Sequence, residues 1–440
     1  MTDPQIAPQA DPQADQVSPA PEEQSFAALR HRGFFWYFLL SAMAMMADSV
    51  EHVVSYDAMW DKFKSQELQG FAVISHWVPF LLFSIHAGAL ADRVDPRKVI
   101  ILGMVLFMIA TLGWGYFLLT DTLEVWHAVV LLIIHGLAGV FWAPAGQMLI
   151  HDIVGNDRLQ SGVRLMATSR TLGVMLGPAT GGALLLFFDH AWALILNAFI
   201  YVPLIIWCLK APYGPAFYPP EKKRRPAAMR GMTDIAAALK AAARHRIIMS
   251  MTLLAGGASF FVGNAHQALM PEFTDLLVPT GVTGLSENTM HYVALFGASA
   301  AGALIAGVVL ESRSLLTAQP RTAFTLVLFW CVAMGSFAIS GNYYLSFALL
   351  LVAGFLDLSF NSMTQTLVQL NTPPDARGKV LGLYAVSSLG MKSFSGVTVG
   401  IAGGLIGIQW SLGISAAALF LFTISLMAYA MALPAQEPAE

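Results

Sequence analysis

The sequence predicts an all-α polytopic membrane protein of twelve transmembrane helices in two six-helix bundles. Three observations predict it: an excess of apolar side chains, a series of apolar runs of span length, and basic residues confined to alternate connections. Hydrophobic residues make up 56% of the 440 positions and charged residues 12%, whereas soluble domains carry about 25% charge. A water-soluble core cannot hide that much apolar surface, so the bilayer serves as solvent.

Residues 1–30 are rich in Pro, Gln, Asp and Ala. They lack a basic stretch followed by an apolar one, so they read as a disordered cytoplasmic tail rather than a signal peptide. A hydrocarbon core about 30 Å thick needs about 20 apolar residues per helix. Runs of that kind occur at 34–54, 71–90, 99–119, 125–146, 165–188 and 191–209, which assigns residues 31–209 to an N-terminal bundle. Residues 210–246 form a basic linker containing EKKRRP. Thr233 or Asp234 caps a short surface helix there, on an alanine-rich stretch; a disordered loop is the alternative. Six further runs at 247–267, 292–310, 323–339, 345–370, 380–402 and 412–431 assign 247–432 to a C-terminal bundle, followed by a second tail at 433–440.

The charge distribution tests this count. With both termini cytoplasmic, all 24 lysines and arginines except Lys62, Lys64 and Lys392 fall in inside segments or at inner span ends. A missed or extra span would scramble that partition. The two cysteines, Cys208 and Cys331, lie in apolar runs of different halves and read as buried thiols. No metal-ligand cluster, phosphate-binding GxxxxGK[ST], HExxH or GxSxG occurs, so neither a cofactor nor an enzyme chemistry is expected.

Three stretches carry family character. GALADRVDPRK follows the second run, with Gly88, Leu90, Asp92, Arg93, Arg97 and Lys98 in a glycine-x-leucine-x-aspartate-arginine pattern that ends in basic residues. Asp95-Pro96 departs from the pattern where a glycine is usual. RTLGVMLGPATGG in the fifth run places Gly173, Gly177, Pro178, Gly181 and Gly182 at helix-packing spacing. The ARGKVLGLY stretch in the second half faintly echoes the first. Together these resemble the major facilitator superfamily, and the stretch 144–182 resembles its bacterial enterobactin-exporter-like branch.

The resemblance implies two six-helix bundles around a central cavity, rocked against one another for alternating access. It implies a bacterial inner-membrane location and a cytoplasmic gate in which Asp92 holds the halves together. It further implies that the glycine-proline motif marks an exporter, although helix packing alone accounts for it equally. In that fold the first, fourth, seventh and tenth spans line the cavity. Asp48, Glu51, Asp357 and, a turn below it, Asn361 then face it, with His135 and Asn264 as further candidates and His52 beside Glu51.

Intramembrane ionisable residues are costly and functional by default. Asp48, His76, Asp357 and Lys392 all fall roughly 18–21 Å from the cytoplasmic edge at 1.5 Å per residue. Lys392 either pairs with Asp357 or turns to the cavity. The expected function is proton-coupled export of an organic small molecule such as a siderophore, drug or amphiphile. Metabolite uptake or lipid flipping is the alternative within transport, and a non-transporting sensor or assembly factor the alternative outside it. The expected partners are lipids, a small-molecule substrate and protons, with no nucleic acid, and the chain is expected to be a monomer.

Overall fold

A computed structural model describes residues 26–155, 158–217, 240, 242–243, 245–278, 285–313, 319–372 and 377–431. The two tails and most of the linker expected at 210–246 lie outside these residues. The described chain is helical throughout. We label its passes α1 (Arg32–Phe63), α2 (Gln66–Arg93), α3 (Pro96–Leu119), α4 (Val125–Val154), α5 (Leu159–Phe187) and α6 (His190–Lys210) in the first half. The second half holds α7 (Arg246–Ala268), α8 (Leu285–Arg313), α9 (Pro320–Ile339), α10 (Tyr343–Asn371), α11 (Leu383–Ile406) and α12 (Ile408–Met431). Eleven of these are long and apolar enough to cross a bilayer among the described residues. The twelfth, α2, is a 28-residue helix packed between α4 and α11.

The packing repeats with a six-helix offset. In the first half α1 packs on α5, α2 and α3 on α4, and α3 on α6. In the second half α7 packs on α11, α8 and α9 on α10, and α9 on α12. The two bundles meet along α2 with α11 and along α5 with α8, which exchange under the same offset. This is the internal duplication expected of a repeat-built transporter.

Local chemistry explains the turns. The apolar run of the first span ends at residue 54, but α1 continues to Phe63 because Ser55, Tyr56 and Asp57 do not stop a helix. It stops where Lys64 adopts a left-handed backbone (φ 46°) and Ser65 caps α2 by accepting from the Leu68 amide at 3.2 Å. Asp48, Glu51 and His52 therefore sit at the middle of a 32-residue helix rather than near its end. The Asp95-Pro96 departure also has a reason. Asp95 caps α3, accepting from the Arg97 amide at 3.0 Å, and Pro96 takes the first helical turn, where a missing N–H costs nothing.

The glycine ladder in α5 is a packing surface. A Cβ at Gly173 would stand 2.6 Å from Met45, one at Gly177 would meet Ser49, and one at Gly181 would stand 3.2 Å from Val53, so α5 and α1 run in close contact. Gly182 instead faces α8, where a Cβ would lie 2.5 Å from Val293. At the crossing of α2 and α11 a Cβ on Gly70 would lie 2.5 Å from the carbonyl of Gly396, and one on Gly400 would strike Gly70 itself.

Candidate functional site

Five described hydrogen bonds join the two halves. Trp60 Nε1 donates to Asp275 Oδ2 at 2.7 Å, Lys64 Nζ to the same oxygen at 3.4 Å, Gln66 Nε2 to Glu272 Oε1 at 2.6 Å, Tyr292 Oη to the Val53 carbonyl at 2.7 Å and Trp77 Nε1 to Asn264 Oδ1 at 3.0 Å. They join α1 and α2 to α7, α8 and the segment between α7 and α8. This end of the molecule is closed by direct contact. Asp275 and Glu272 lie on a short helix, Met270–Leu277, beyond the end of α7. Glu272 is 9% exposed, and removal from water pushes its carboxyl above the usual carboxylate range.

Inside that seal lies a cavity of about 310 Å³ lined by both halves. Asp48, His52, His76, Trp77 and Arg170 contribute from the first half, and Asn264, His266, Asp357 and Lys392 from the second. Of the residues the sequence singled out, Asp48, His52, Asn264, Asp357 and Lys392 reach the cavity surface. Glu51, His135 and Asn361 are not among its lining residues. Glu51 and His135 are buried at 2% and 4% exposure in the first bundle, and Asn361 bonds back to Asp357. Glu51 lies three residues from Asp48, close to one helical face, but Thr111 of α3 draws it inward.

The first-half wall is a connected network. Thr111 donates to Glu51, and Glu51 Oε1 holds His135 Nδ1 at 2.9 Å. His135 Nε2 stands 3.1 Å from Asp48 Oδ1. His52 Nδ1 contacts the Asp48 carbonyl at 2.7 Å, and its Nε2 contacts His76 Nδ1 at 3.3 Å. Gly136 of α4 allows this convergence, because a Cβ there would collide with the α2 backbone at Ser75.

The second-half wall is built on broken helices. α7 unwinds at Gly263, which adopts φ +47°, and a Cβ there would lie 2.5 Å from Ser395 Oγ. The carbonyls of Phe260 and Phe261 beside the break are met by Thr398 Oγ1 at 3.2 and 2.9 Å. Within α11, Val386–Gly390 and Gly396–Ile401 are π-helical and flank Lys392. Irregular backbone at membrane depth is tolerated where it lines a cavity, and π-turns concentrate at functional positions. Lys392 Nζ lies over the Trp77 ring at 4.9 Å, and no ion pair within 4.0 Å joins it to Asp357 among the described residues. Of the two placements open to Lys392, the structure adopts the cavity-facing one. Asp357 Oδ1 accepts from Asn361 Nδ2 at 3.1 Å.

The sequence reading placed His76 in the layer of Asp48 without assigning it to the cavity, and it missed Arg170 and His266 as site residues. Each is an ionisable group in an apolar span, the signal that singled out Asp48. Arg170 was absorbed into the count of inner-end charges, and His266 stands at the edge of its apolar run. In the basic loop, Arg97 pairs with Asp95 at 2.6 Å and donates to the carbonyl of Ala211, so it ties α3 to the end of α6 in its own bundle. Lys98 is exposed. The side chains of Asp92 and Arg93, and residue Gly88, lie outside the described side chains.

The sequence profile of the Major Facilitator Superfamily matches residues 32–394. The chain belongs to this superfamily. Membership places it with membrane transporters rather than enzymes. Its fold is similar to that of the nucleoside transporter NupG, with a TM-score of 0.67 over 90% of this chain and 98% of that one at 14% identity. It is similar too to a bacterial homolog of the human lysosomal transporter Spinster in an inward-facing, unoccupied conformation, with a TM-score of 0.64 over 92% and 96% of the two chains, also at 14% identity. Among curated proteins, the putative multidrug resistance protein MdtD of Salmonella typhi is 27% identical over 125 residues, and that of Klebsiella pneumoniae strain 342 is 26% identical. The match spans 28% of this chain and only 26% of those relatives.

Proposed function

We propose that this chain is a proton-coupled secondary transporter that exports an organic small molecule across a bacterial inner membrane by alternating access. The observation that carries the reading is the cavity between the halves, with Asp48 on one wall and Asp357 and Lys392 on the other. With both termini cytoplasmic, as the basic residues favour, the sealed end is periplasmic and the conformation is inward-open. A substrate then enters from the cytoplasm, and rocking of the bundles transfers the opening to the other side.

Protons are the coupling ion that the side chains favour. Asp48, linked through His135 to Glu51, offers a carboxylate on the cavity surface with a buried base behind it. Protonation of Asp48 weakens its attraction to His135, and a change in charge at the interface biases one arrangement of the bundles over the other. Export is supported by the multidrug-resistance relatives.

Purified protein in proteoliposomes tests the reading. An imposed pH gradient is expected to drive movement of amphiphilic substrates with no nucleotide present, and Asp48→Asn is expected to abolish the gradient-driven component. Equal gradient-driven flux in wild type and Asp48→Asn counts against the coupling site. Absence of flux for any tested amphiphile in either form counts against export of this substrate class.

A further inference from the structure

Three histidines from three helices converge on the first-half wall: His52 of α1, His76 of α2 and His135 of α4. They stand 24 and 59 positions apart in consecutive pairs, so no local motif announces them. Their ring centroids lie 4.7–5.3 Å from one another. One ring nitrogen from each falls within 4.8 Å of the others. We propose that these three imidazoles, with Asp48, form a binding site for a divalent transition-metal cation of the zinc class, open to the central cavity.

The hydrogen bonding around the rings carries this assignment. A metal-binding imidazole presents one bare nitrogen while the other donates to a carbonyl or carboxylate that fixes its tautomer. His52 has that arrangement: Nδ1 donates to the Asp48 carbonyl at 2.7 Å, which leaves Nε2 without a proton and able to accept from His76 Nδ1 at 3.3 Å. His135 has it as well: Nδ1 is held by the Glu51 carboxylate at 2.9 Å, itself anchored by Thr111. His135 Nε2 and Asp48 Oδ1 are buried, stand 3.1 Å apart, and have no described partner besides each other. Each is a metal-ligand atom type, and they already lie at the separation of two neighbouring ligands of one ion.

The spacing fits the ion. Zinc binds imidazole nitrogen at about 2.0–2.1 Å in a tetrahedral array, which puts neighbouring ligand atoms roughly 3.3 Å apart. The His52–His76 nitrogens are 3.3 Å apart and the His135–Asp48 atoms 3.1 Å. One ring nitrogen from each of the three histidines lies within 4.8 Å of the others, and tetrahedral ligation requires these to draw in by roughly 1.5 Å at most. Three imidazoles and one carboxylate suit zinc, cobalt or nickel, whereas magnesium and calcium demand oxygen ligands. Asp48, His52 and His76 line the cavity, so the ion exchanges with the aqueous path. The inference is independent of proton coupling, because ion binding is read at equilibrium with no gradient.

The test is titration of tag-free, full-length protein in detergent with Co²⁺, followed by visible absorption. One Co²⁺ per chain with the intense bands of tetrahedral ligation is expected, displaced by Zn²⁺ and not by Mg²⁺. His52→Gln and His76→Gln, both on the cavity surface, are each expected to weaken apparent affinity at least tenfold. His127→Gln, in the first turn of α4 about two turns from His135, is expected to leave it unchanged. Zn²⁺ is also expected to raise the thermal unfolding midpoint of the unmodified protein, since an ion that binds only the native state stabilises it; this readout needs no variant. Cobalt binding equally tight in wild type and His76→Gln overturns the proposal. So does loss of binding in His190→Gln instead, which would move the site to the partly exposed Asp57, Asp61 and His190 group. Absence of both absorption and stabilisation overturns it too.

Discussion

The two walls of the cavity are built by opposite means. The first-half wall stands on unbroken helices, and its polar side chains satisfy one another from Thr111 through Glu51 and His135 to Asp48. The second-half wall stands on an unwound α7 and a π-helical α11, and its charged groups Asp357 and Lys392 stand apart. A pre-organised network holds an ion or a proton in fixed geometry. Irregular backbone supplies a surface that repacks at low cost. Under the proposed reading the duplicated fold divides its labour: one half carries the ion chemistry, and the other presents charge to whatever occupies the cavity.

The largest effect is expected where the walls must approach. Gly400→Leu places a side chain against Gly70 at the α2–α11 crossing. The sealed end then cannot close, and transport is expected to be abolished while the protein still inserts. Cysteine labelling of positions near Trp60 from the periplasmic side is expected to increase. Unchanged labelling and flux would show that the crossing is not a gate.

The next comparison concerns stability. Glu51→Leu leaves the buried His135 Nδ1 without its partner, while Thr111 keeps the Phe107 carbonyl as acceptor. It is expected to cost about 1–3 kcal/mol, the penalty for an unsatisfied buried group, seen as a lower unfolding midpoint in detergent. Asp357→Leu removes a carboxylate whose described side-chain partner is Asn361 and is expected to cost less. Equal losses at the two positions would erase the distinction between the walls.

How much of this was legible in the sequence depended on range. The twelve passes and their pairing into halves follow from apolar runs and basic residues, signals carried along the chain. Asp48, Asp357 and Lys392 announced themselves because a charge in an apolar span is conspicuous alone. The His52–His76–His135 convergence did not, because it depends on how three helices rotate about their axes, and an apolar run does not fix that rotation. The extent of α1 was misread for a related reason. Hydropathy ends at residue 54, but backbone hydrogen bonding carries the helix on to Phe63. The unwinding of α7 has one local sign, Gly263, in a chain with 37 glycines.

A smaller effect distinguishes what the second wall contacts. Lys392→Met is expected to weaken binding of substrates bearing an acidic group about tenfold, equivalent to about 1.4 kcal/mol, and to leave cationic substrates unaffected. Lys392→Arg is expected to retain the preference. Substrate competition assays across the charge series decide it.

The smallest effect lies at the sealed end. Burial raises the Glu272 carboxyl in the closed conformation, where Gln66 contacts it. A carboxyl raised in one conformation favours that conformation at low pH and penalises it once pH rises through the raised value. Closure of this end is therefore expected to strengthen as periplasmic pH falls, and Glu272→Gln to flatten that dependence in labelling measured across pH.

The central claim, that the first-half network couples transport to protons, is tested most directly by separating exchange from accumulation. In proteoliposomes preloaded with unlabelled substrate, Asp48→Asn is expected to retain substrate-for-substrate counterflow, because the cavity and both gates persist. Under an imposed pH gradient the same variant is expected to show no accumulation, while wild type accumulates substrate. Accumulation by Asp48→Asn equal to wild type would contradict the account.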